Sequence, residues 1–127
     1  MLRDASLKFT RELSARLVIR NVSETAMRVN NTEYFESIVL TPDDQLTIWS
    51  DKPIADLTDA DFDTVFDTKP EIVLLGTGTS SVFPPRELTF AFARRGIGLE
   101  VMDTPAAART FNVLANEGRR VAAILYL

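Results

Sequence analysis

Residues 71–127 divide into EIVLLGTGTS (71–80), PPRELTFAFARRG (84–96), IGLEVMDT (97–104), PAAARTFNVLANEG (105–118) and RRVAAILYL (119–127). This order predicts strand, glycine-rich loop, helix, strand, helix, strand. Residues 72–75 are an unbroken apolar run, which suits a strand buried on both faces. Pro84-Pro85 opens the first helix, because a first turn does not need the N–H that proline lacks. Leu88, Ala91 and Phe92 form its inward face, and Gly96 ends it. Residues 97–102 give the second strand. Thr104 is predicted to cap the second helix, with Pro105 in its first turn. Ala108, Phe111, Val113 and Leu114 supply that helix's apolar content, and Gly118 stands where a C-terminal glycine belongs. Residues 121–127 close the chain as a strand. Both connections are long enough for right-handed crossovers. Whether the last strand runs parallel or reversed is left open.

Outward from this half the period changes. Leu17, Val18 and Ile19 favour a strand, and Asn21 to Thr25 supplies turn chemistry. A short strand over 26–29 leads to Asn30-Asn31, a good hairpin turn because Asn tolerates positive φ. Residues 33–40 read as one strand with Tyr34, Ile38 and Leu40 on one face. Residues 46–49 (LTIW) form another. The N-terminal half is thus expected to be an antiparallel meander. Residues 57–66 switch to a helical period, with Thr58 and Asp61 as a weak capping box. Residues 1–15 offer no anchor and are expected to be a loosely ordered arm. The predicted architecture is a three-layer α/β fold over 16–127, in which a central mixed sheet joins the antiparallel strands to the βαβαβ half.

Composition narrows the chemistry. The 127 residues include no Cys and no His. Thiolate nucleophiles, a Ser-His-Asp triad and Cys- or His-based metal sites are therefore excluded. Catalysis would have to run on Asp, Glu, Lys, Arg, Ser, Thr or Tyr. The net charge of -4 is uneven, with nine acidic and two basic residues over 43–71. Without a basic stripe, nucleic acid is not an expected partner. The longest uninterrupted apolar run, 121–127, is far short of the roughly 20 residues of a membrane-crossing helix. No secretory signal is legible in the first 20 residues, so a cytoplasmic location is expected.

Two motifs fail on inspection. Gly76-x-Gly78 follows a buried strand, but a dinucleotide fingerprint needs a third glycine where Ser81 stands. Asp59-x-Asp61-x-Asp63 opens like a calcium loop, yet Thr64 and Pro70 replace the required Gly and Glu. No cofactor and no metal site is expected. What remains is a candidate ligand crevice at the carboxyl ends of the strands, where open α/β sheets bind. Its residues are Gly76, Thr77, Gly78, Thr79, Ser80, Asp103, Thr104, Arg109 and Asn112. Arg109, Asn112 and Asn116, three and four apart, share a helical face.

The ordered set GTG (76–78), VMDT (101–104) and TFNVL-x-x-EGR (110–119) resembles a small α/β domain family of largely unknown function. Its members include mitochondrial complex I assembly factor three and the adipogenesis-associated Mth-domain protein. The likeness extends upstream through VNNTEYFESIVLTPD to cover roughly 16–127. It implies a three-layer fold with a central mixed sheet, and no established catalytic residue or cofactor. Phe111 stands where a tyrosine is common in the family. The chain lacks a convincing transit peptide, so a bacterial cytoplasmic relative is expected. The leading expectation is a non-enzymatic protein-interaction module, a monomer or weak homo-oligomer, that assists assembly of a larger membrane-associated complex without inserting into the membrane. The alternative is a small-molecule binder or weak enzyme using the crevice.

Overall fold

The computed structural model describes residues 16–127; the arm expected over 1–15 lies outside them. Strand β1 (Ile19–Val22), β2 (Met27–Val29) and β3 (Thr32–Tyr34) form a small antiparallel sheet. A second sheet contains β4 (Ile38–Leu40), β5 (Leu46–Ile48), β6 (Ile72–Thr77), β7 (Gly98–Met102) and β8 (Val121–Tyr126). Its order is β5-β4-β8-β6-β7. Strands β7 and β8 flank β6 and run parallel to it, whereas β4 is antiparallel to β8 and β5 to β4. The sheet is therefore mixed, and the direction left open for the last strand is parallel to β6.

Period-two alternation sorts the strand residues into two cores. Val73, Leu75, Ala122, Ile124 and Val39 point to one side, where Trp49, Leu57, Phe62, Val65, Leu88 and Phe92 cover them. Leu74, Ala123, Leu125, Ile38 and Leu40 point to the other, against Ala107, Ala108 and Phe111 and the small sheet's Ile19, Met27 and Val29. Three layers result. Helix α1 (Asp63–Asp67) and α2 (Arg86–Arg94) belong to the first side, and α3 (Thr104–Asn116) to the second. Leu88, Ala91 and Phe92 face inward on α2 as their spacing predicts. Phe62 packs edge-on against Phe92 with centroids 5.1 Å apart, a geometry that ring quadrupoles favour.

Two expectations are corrected. The single strand over 33–40 is two strands in different sheets, β3 and β4. Ser37 lies in the break, where its hydroxyl donates to Asp51 and accepts the Leu127 N–H, and its carbonyl accepts the Trp49 N–H. These distant partners have no local signature. The helix over 57–66 is a 3₁₀ turn, Asp59–Phe62, running into α1. The Asp61 carboxylate does accept the Thr58 N–H at 2.8 Å, the reciprocal half of a capping box. Of the apolar residues of α3, Ala108 and Phe111 are buried and Val113 is 57% exposed.

Candidate functional site

The carboxyl ends of β6, β7 and β8 lie side by side, because both flanking strands are parallel to β6. Gly76 and Thr77 are the last residues of β6 itself. A Cβ at Gly76 would stand 3.0 Å from the Thr104 Cα, so glycine is required by the approach of α3. Gly78 adopts φ +95°, a conformation open to glycine, and turns the chain away from the sheet.

Thr104 ties this junction together. Its hydroxyl donates to the Tyr126 carbonyl at 2.6 Å and accepts the Gly78 N–H at 2.8 Å. Its own N–H donates to the Gly78 carbonyl at 2.8 Å. Loop, helix start and strand end are thus joined through one buried side chain. The cap expected of Thr104 belongs instead to Asp103, whose carboxylate accepts the Ala106 N–H at 2.8 Å. Thr104 is displaced into the first turn because its hydroxyl is occupied by the sheet. The Thr77 hydroxyl is likewise internal, donating to the Ser80 carbonyl at 2.5 Å and accepting the Val82 N–H at 3.1 Å.

Among the sequence-selected residues, Gly78, Thr79 and Thr104 meet around a cleft of about 150 Å³. Arg109 and Asn112 line a neighbouring groove of about 210 Å³. Val22 and Pro105 border both, so the two are contiguous. Gly76, Thr77, Ser80 and Asp103 border neither: they shape the junction. Asn112 is structural as well, since its amide accepts the Ile19 N–H at 3.0 Å and donates to the Ile19 carbonyl at 2.8 Å. Ser23, Glu24, Tyr126 and Leu127 complete the cleft and escaped the sequence argument. The β1–β2 turn reaches this place only through the docking of the small sheet on α3, which no local spacing announces. Among the described residues Glu24 is the charged side chain of the cleft, and the cations Arg20 and Arg109 line the neighbouring groove instead.

A second polar cluster holds the segment after β5. The Trp49 indole N–H donates to the Tyr126 hydroxyl at 2.9 Å, and that hydroxyl donates to the Lys52 carbonyl at 2.6 Å. Burial pushes the Tyr126 phenol up from its ordinary value, offset in part by the Trp49 bond. Lys52 pairs with Asp61 at 2.9 Å. The Thr58 N–H first, and then Lys52, hold the Asp61 carboxyl below its usual range. Among the described residues no helix is long and apolar enough to cross a membrane.

Fold and junction define a small three-layer α/β domain whose sheet-end hydroxyls are built into its own main chain. The chain belongs to the family described as "Protein of unknown function (DUF498/DUF598)", matched over residues 19–126. A Bos taurus protein named NADH dehydrogenase [ubiquinone] 1 alpha subcomplex assembly factor 3 is 33% identical over 117 residues, which cover 91% of this chain and 63% of that one. A Francisella tularensis protein named 13 kDa major membrane protein is 32% identical over 99 residues, 76% of this chain and 80% of that one. The solution structure of Xanthomonas campestris XCC1710 superposes with a TM-score of 0.79 at 38% identity, covering 88% of this chain and 85% of that one. The resemblance noted in the sequence, its assembly-factor branch included, is borne out.

Proposed function

We propose that the protein is a non-enzymatic interaction module that assists assembly of a larger membrane-associated complex, acting from the cytoplasm through a protein partner. The observation that carries this reading is the engagement of the crevice by the fold itself: the Thr104 hydroxyl holds two main-chain groups and the Thr77 hydroxyl three. The bovine relative's assembly-factor name supports the direction of the role. This chain spans less than two thirds of that relative, so the relative's complex is not carried over. Affinity capture at native salt, paired with native electrophoresis of membrane complexes from a deletion strain, tests the proposal. The expected result is a stable co-purifying partner and the loss of one large assembly. A chain that elutes alone, with every complex intact in the deletion strain, overturns it.

The paired clefts support a second reading, a small uncharged polar molecule held between Thr79 of one cleft and Arg109 of the other. A ligand of the native state raises the melting temperature. A metabolite panel that yields such a rise, abolished by Thr79→Ala and weakened by Arg109→Ala, would favour this reading over the first.

A further inference from the structure

The cleft beside Thr79 and the groove beside Arg109 share Val22 and Pro105, yet they carry opposite charge. Glu24 lines the cleft. Arg20 and Arg109 line the groove, and among the described residues no acid lines it with them. The ion pairs among the described residues are Lys52–Asp61, Arg119–Glu71 and Arg120–Asp43, and none includes Glu24, Arg20 or Arg109. Local structure does not account for the two cations either. The positions three and four away from Arg109 on α3 are Pro105, Ala106, Asn112 and Val113, so the helix offers it no partner acid. Arg20 sits in a break of the β1–β2 ladder. Ile19 pairs with Val29 and Asn21 with Arg28, which leaves Arg20 as the extra residue. A bulge of this kind re-aims a side chain, and here Arg20 lines the same groove as Arg109. Two guanidiniums along one groove repel each other, and an anion between them removes that cost.

We propose that cleft and groove form one site for a small zwitterion, with an ammonium group beside Glu24, a carboxylate received by Arg20 and Arg109, and a short aliphatic stem over Val22 and Pro105. The proposal rests on the small-molecule reading and names the ligand's chemistry. A guanidinium fork matches the two oxygens of a carboxylate. The openings measure about 150 and 210 Å³. Each is below the ~300 Å³ of an ordinary ligand pocket, so a molecule that spans both is better held than one confined to either. A simple anion would use the arginines and be repelled by Glu24. A simple cation would meet Glu24 and be repelled by the arginines. An α-amino acid carries both charges on one carbon, too close together to serve the two openings at once. A stem of several methylenes separates the charges and covers the apolar side chains that the openings share.

Titration with 6-aminohexanoate and 8-aminooctanoate, followed by amide NMR, tests this. Hexanoate, hexylamine and 1,6-hexanediol are the comparison arms. At least one of the amino carboxylates is expected to bind, with amide shifts confined to the cleft and groove segments 20–24, 78–79 and 106–109. Glu24→Gln, Arg20→Gln and Arg109→Gln are each expected to weaken binding ~10-fold or more. Arg119→Gln, just ahead of β8 at the amino ends of the parallel strands, should leave it unchanged. Melting curves without ligand confirm that each variant is folded. Absence of binding by both amino carboxylates at millimolar concentration, equal affinity for hexanoate or hexylamine, or full retention in Glu24→Gln overturns the proposal. Equal affinity for the diol, lost in Thr79→Ala, also overturns it but leaves the small-molecule reading standing.

Discussion

Thr104 shows how one hydroxyl can close a site that a sequence motif suggests is open. Its oxygen serves the Gly78 N–H and its proton serves the Tyr126 carbonyl. Valine has nearly the same shape and neither capacity. Thr104→Val is therefore expected to cost about 2 kcal/mol, because it strands a buried donor and a buried acceptor. Urea denaturation should show a lower midpoint at unchanged slope, with Thr104→Ser recovering most of the loss. The expectation of a capping threonine came from its place before Pro105. Asp103 had an equal local claim, and only the reach of Thr104 to β8 decides between them.

At the scale of elements, Asn112 supplies the hydrogen bonds that join α3 to the small sheet. A polar residue three from Arg109 reads, in sequence, as part of an exposed ligand face. In the structure its amide makes the two bonds of an added strand partner to Ile19. Asn112→Ala is expected to lose about 1–3 kcal/mol, since two buried main-chain groups lose their partner. Hydrogen exchange should localise the effect: amides of β1 and β2 exchange faster, while those of β6 keep their protection. The split of residues 33–40 into β3 and β4 belongs to the same scale. An alternating apolar pattern specifies extended chain, but not which sheet the chain pairs with.

For the whole molecule, the Trp49–Tyr126–Lys52–Asp61 cluster ties the segment after β5 to the end of β8, and this makes stability depend on pH at both extremes. The Tyr126 pKa is raised in the folded state. Its contribution is thus complete below the unfolded value near ~10 and is lost as pH rises through the folded value. Asp61 is lowered, so its contribution is complete above the unfolded value near ~3.9 and is lost as pH falls through the folded one. Tyr126→Phe is expected to cost about 1–3 kcal/mol at neutral pH, leaving the Trp49 indole without its acceptor. It should also flatten the alkaline fall in stability. Asp61→Asn should be destabilising at neutral pH and approach the unsubstituted protein below about pH 4. Melting temperatures measured from acid to alkali check both.

By itself the sequence determined the α/β class, the order of elements over 71–127, the inward face of α2 and the absence of His and Cys chemistry. These follow from periods of 2 and 3.6 residues, from Gly and Pro conformational limits and from composition, all properties of neighbouring residues. Only the tertiary structure decided that β8 lies between β4 and β6, that β3 and β4 part into separate sheets, and that Thr77 and Thr104 face their own backbone. Apart from the local bonds of Thr77 to Ser80 and Val82, those outcomes depend on hydrogen bonds and burial between residues about 20 to 90 positions apart, where local propensity carries no information about which partner arrives.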